Sequence, residues 1–78
     1  MTKTQAAQNK AMYAAAIPAL REVGWTPVNE PRNWSDLAEN ATYLVLREFP
    51  AEVTFQRARH QVISVMMEYR GKRGEWGT

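Results

Sequence analysis

The chain contains no cysteine and a single histidine, His60. Without cysteine there is neither a disulfide nor a thiolate metal site, and one imidazole falls short of a histidine-based zinc centre. No Gly-rich loop runs into a Lys-Ser/Thr pair, which removes the P-loop as a phosphate cradle. No apolar run approaches the roughly 20 residues that span a bilayer, so no membrane partner is expected. The N-terminal stretch, with Lys3, Lys10 and AMYAAAIPAL, is interrupted by Gln and Asn and too weakly apolar for a secretory signal. The carboxylates are scattered. Asp36 and Glu39 are i,i+3 neighbours near a helix start and need no further role there. His60, between Arg59 and Gln61 on a polar face, reads as a solvated side chain. With no convergent constellation, the expectation is a non-enzymatic protein with no cofactor, no metal and no small-molecule substrate. The absence of cysteine fits a reducing compartment, and a cytoplasmic location is expected.

What is present is a globular composition. The 78 residues are 45% hydrophobic and 23% charged, with three tryptophans and a formal net charge of +2. One domain covering 1–78 is expected, and a chain of this size buries only about 60% of its unfolded surface. The charge is unevenly placed. Residues 1–23 carry three basic residues to one acid, residues 24–49 two to four, and residues 50–78 five to three. An acidic middle between basic ends suits packing within the chain as well as an outside partner.

The apolar spacing predicts an all-α fold of three helices. The first covers 5–23, where Met12, Ala16, Leu20 and Val23 share one face and Gly24 caps the end. Pro18 should kink or break it. Residues 24–33 form a Pro-containing connector flanked by Trp25 and Trp34, which should pin it to the core. The second helix covers 35–48, capped by Asn33 or Ser35, with Leu37, Ala41, Leu44 and Val45 inward. The β-branched run Thr42–Leu46 is also compatible with a strand, but no comparable strand exists to pair with it. A short turn at Phe49-Pro50 then leads into a long C-terminal helix, 50–70, with Pro50 at its first position, Glu52 in its first turn and Gly71 beyond its end. Residues 1–4 and 71–78 read as flexible ends.

That last helix organises the rest. Ala51, Phe55, Ala58, Val62, Val65 and Tyr69 follow at helical spacing, and Ile63, Met66 and Met67 add a second stripe beside the first. Apolar side chains thus occupy most of the circumference from Val62 to Tyr69, more than so short a chain is expected to cover. The expectation is a binding protein that self-associates or receives a partner protein through Ile63, Met66, Met67, Tyr69 and Trp76. In size and composition the chain resembles the accessory proteins of phages and mobile elements that act by sitting on a host protein. The alternative is nucleic-acid binding through Arg57, Arg59, Arg70, Lys72 and Arg73. TFQRAR resembles the start of a recognition helix and RGKRGEW a short wing, as in helix-turn-helix proteins. Arg57 and Arg59, however, point about 200° apart on a helix.

Overall fold

The computed structural model describes residues 3–28, 32–49 and 53–72. The chain is all-α, with α1 at Lys3–Val23, α2 at Trp34–Leu46 and α3 at Phe55–Tyr69. No strand occurs among the described residues, and Thr42–Leu46 is the last part of α2. Each helix packs against the other two.

Helix α1 runs unbroken through Pro18. Proline deletes the amide that would bond the carbonyl of Ala14. Ala14 and Pro18 are both exposed, so that carbonyl lies on the wet side of the helix, where the loss costs least. The helix does not restart at Pro18. It also begins at Lys3, so Lys3 and Thr4 belong to it rather than to a frayed end.

The core is built largely from small side chains. Five of its twelve buried apolar residues are alanines, Ala16, Ala19, Ala38, Ala41 and Ala58, spread over all three helices. Small residues let helix axes approach closely, at the lower end of the usual 8–10 Å. Larger groups fill the remaining space: Met12, Leu20, Trp25, Val45, Val62, Val65 and Met66. Thr42 is the one buried polar side chain among the described residues, and its hydroxyl donates to the carbonyl of Ala38 at 2.7 Å. No bare polar group is left there.

Trp25 is the largest fully buried side chain, at 1% exposure. It reaches the core because α1 ends in a Schellman turn. The amide of Gly24 donates to the carbonyl of Arg21 at 3.1 Å, and the amide of Trp25 to that of Leu20 at 3.0 Å. This 5→2 and 6→1 pair requires a left-handed residue at the turn, and Gly24 supplies it with φ 91°. Burying a tryptophan removes about 150–250 Å² from water, worth about 4–6 kcal/mol at 25 cal/mol per Å².

The start of α3 differs from the sequence expectation. Val53 and Thr54 are not helical, and Thr54 is the N-cap, its hydroxyl accepting the amide of Arg57 at 3.2 Å. A β-branched hydroxyl residue favours the extended cap conformation over the helix interior. Pro50, Ala51 and Glu52 lie outside the described residues, so the roles expected of them at a helix start are displaced to Thr54 and its followers. The link from α2 is correspondingly longer than a turn at Phe49-Pro50. Helix α2 unwinds through Arg47, Glu48 and Phe49, whose amides donate to Tyr43, Val45 and Leu46. At its other end Asn33 occupies the N-cap position, but its side chain makes no capping bond.

Side-chain contacts give the helix directions. Tyr43, late in α2, packs its ring on Phe55 at the start of α3 (centroids 5.2 Å apart), so these two helices are antiparallel. Arg57 meets Gln8 and Asn9, whereas Tyr13 meets Glu68, so α1 and α3 run in the same sense. The far end of α3 is clasped by the connector. Gly71, at φ 76°, donates its amide to the carbonyl of buried Pro27 at 2.8 Å.

Three substitutions test this account by urea unfolding. Gly24→Ala meets open space and should cost only the left-handed backbone penalty, about 1–2 kcal/mol. Thr54→Ala should cost about 1 kcal/mol through the lost cap. Trp25→Ala should cost about 3–5 kcal/mol, comparable to all that a core of this size supplies, and leave the chain largely unfolded at room temperature.

Candidate interaction surface

Successive residues of α3 turn by about 100°, which sorts its side chains into four sectors. Ala58, Val62, Val65 and Met66 face inward and are buried. Arg57 and Glu68 lie on the flank beside α1. Arg59 and Arg70 lie on the flank beside α2, eleven residues apart and therefore nearly in line. Opposite the core is an outer strip of Gln56, His60, Ile63, Ser64 and Met67.

That strip carries no Lys, Arg, Asp or Glu. Met67 is 55% exposed, the highest value among the large apolar residues that stand out from the surface, with Tyr43 at 52% and Val28 at 43%. Ile63 is half-buried beside it, and Gln56 and His60 are exposed. The hydroxyl of Ser64 turns back to the carbonyl of His60 at 2.8 Å, which reduces the polarity presented outward.

The protein-contact candidates therefore separate. Met66 is 1% exposed and belongs to the core, so it cannot meet a partner without unfolding the site; its neighbour Met67 points away by 100° of helix turn. Tyr69 is half-buried and packed against the core. Ile63 and Met67 remain on the surface. Trp76 lies outside the described residues. Val62 and Val65 are wholly enclosed, so much of the broad apolar circumference is satisfied inside one chain.

The basic candidates separate as well. Arg57 is half-buried, and its Nη2 donates to Oε1 of Gln8 at 3.0 Å and to Oδ1 of Asn9 at 3.2 Å. It ties α1 to α3. Nothing in the local sequence of α3 signals this, because its acceptors are distant in the chain. Arg59 is half-buried, Arg70 and Lys72 are exposed, and Arg73 lies outside the described residues. Arg57 and Arg59 stand on opposite flanks and do not converge.

Two shallow grooves accompany these features. One lies between α1 and α2, with Ala15, Ala19 and Leu44 below Glu22, Arg47 and Glu48, and holds about 240 Å³. The other, also about 240 Å³, lies beside Asn9, Arg57 and His60. Each is smaller than the roughly 300–1,000 Å³ of ordinary ligand pockets. Among the described residues no three His, Cys, Asp or Glu side chains are grouped for a metal ion, and no helix is long and apolar enough to cross a membrane. Compared with known protein families, curated proteins and solved structures, the chain matches none.

The contrast between the adjacent methionines is directly measurable. Met66→Ala should lower stability by about 2–5 kcal/mol. Met67→Ala should change it by less than about 0.5 kcal/mol. Equal losses in urea melts would show that the sectors are wrongly placed.

Proposed function

We propose that this chain is a small non-enzymatic binding protein that works through protein–protein contacts on the outer face of α3. The carrying observation is Met67, 55% exposed in the middle of a helix strip without a formal charge. Contact surfaces pair an apolar centre with a charged or polar margin, and charged residues are depleted at their cores. Here Ile63 and Met67 form the centre, and Arg59, Arg70 and Glu68 the margin. Methionine suits such a centre because its unbranched, polarisable chain adapts to the surface it meets. The occupant is a second protein or another copy of this chain.

A nucleic-acid reading has one observation in its favour, the alignment of Arg59 and Arg70 on one flank with Lys72 beyond them. It is the weaker reading, because Arg57 is engaged with α1 and the flank borders an apolar strip rather than a polar one. Phosphate-driven binding would also weaken steeply with salt.

Affinity capture from the native host with wild-type chain and with Met67→Glu tests the proposal. A partner held by the wild type, or a dimer seen in sedimentation, should be lost in Met67→Glu while circular dichroism and melting stay unchanged. Identical captures and identical sedimentation for both chains would overturn it. Duplex retardation at low salt that disappears in Arg59→Ala/Lys72→Ala would favour the nucleic-acid reading instead.

A further inference from the structure

We infer that the occupant of the outer face of α3 is an acidic amphipathic segment of a partner protein, apolar along its centre and edged by Asp or Glu. The inference rests on the protein-contact reading above and specifies the partner's chemistry. The two flanks of the strip differ. On the α1 side Arg57 and Glu68 offset each other, and both are held by α1 side chains, Arg57 by Gln8 and Asn9 and Glu68 by Tyr13. On the α2 side α3 contributes Arg59 and Arg70 and no acid, and exposed Lys72 follows just past the helix end. The face is therefore apolar in the middle and cationic along one border.

This asymmetry selects among occupants. A second copy docked through the same face about a two-fold axis, with its α3 antiparallel, would bring like flanks together. Arg59 and Arg70 would then meet Arg59 and Arg70, which is repulsive. An anionic lipid surface would satisfy the cations, but Ile63 and Met67 alone, without an aromatic residue in the strip, offer little area for insertion between headgroups. A duplex would satisfy the cations while leaving Ile63 and Met67 against phosphate and water. A protein segment with both an apolar stripe and acidic margins satisfies both halves of the face. The apolar centre supplies the contact, and the charge complement sets orientation and discriminates against wrong partners.

The test uses two synthetic helical peptides with the same leucine stripe, one flanked by glutamates and the other by lysines. Each is titrated into the isotopically labelled full chain and followed by amide chemical shifts. The expected result is that the glutamate peptide shifts the signals of residues 56–70 and binds on the order of tenfold more tightly than the lysine peptide. That preference should shrink at high salt and vanish in Arg59→Glu/Lys72→Glu, a variant that leaves the α1 contacts of Arg57 intact. Equal affinity for both peptides at residues 56–70 would overturn the acidic-partner inference while leaving the contact surface standing. No shift with either peptide at millimolar concentration would overturn the inference, and the capture experiment with Met67→Glu would then decide the surface separately. Tighter binding of mixed phosphatidylserine–phosphatidylcholine vesicles, or of a DNA duplex, with the same signals affected would overturn it in favour of those partners.

Discussion

The structure depends on seating Trp25. A three-helix chain whose core is rich in alanine has little apolar volume to exclude from water, and one indole supplies an unusually large part of it. The side chain can be placed there only because the chain reverses tightly after Val23. Gly24 takes a left-handed conformation that other residues adopt at a cost, and the following amide returns to Leu20. Backbone geometry at one glycine thus controls the largest single burial in the fold. Pro27 then closes the arrangement by accepting the amide of Gly71, so the connector that buries Trp25 also holds the end of α3.

This coupling orients the candidate surface. Helix α3 is fixed by its Thr54 cap and by Phe55 against Tyr43 at one end, by Arg57 and Glu68 against α1 along its length, and by Gly71 at the other end. Its rotation about its own axis is set by Ala58, Val62, Val65 and Met66 in the core. Little freedom remains for the strip opposite, so Ile63 and Met67 are presented on a rigid element. A pre-oriented helix face loses less conformational freedom on binding than a loop does. None of the strip residues is among the large side chains that fill the core, which separates the demands of folding from those of contact.

Much of this was legible in the amino-acid sequence, because periodicity is set by helix geometry and caps by a few residue types. The all-α class, the inner lines Met12–Ala16–Leu20 and Ala58–Val62–Val65, and the glycines at both C-terminal caps could all be read directly. The start of α3 could not. Pro50 and Thr54 are both valid start signals, and the choice rests on a hydroxyl-to-amide bond that local spacing does not reveal. The role of Arg57 was hidden for a different reason, since its acceptors are 48 and 49 residues away. The methionines lie between these cases. Counting apolar residues treats Met66 and Met67 alike, whereas extending the inner line from Val62 and Val65 by 100° steps already places Met66 inward and Met67 outward.

The broad apolar circumference of α3 thus resolves into two populations with different explanations. Val62, Val65 and Met66 are accounted for by the fold, since their removal would leave cavities in a core with none to spare. Ile63 and Met67 have no such necessity at the centre of the outer strip. Lys, Glu, Gln and Arg have helix propensities close to that of Met and would make the surface more soluble, so neither stability nor solubility requires apolar residues there. The same holds for the uncharged residues at positions 56, 60 and 64 between two charged flanks. An isolated helix bundle derives nothing from this pattern, whereas a surface that must shed water against a partner requires it.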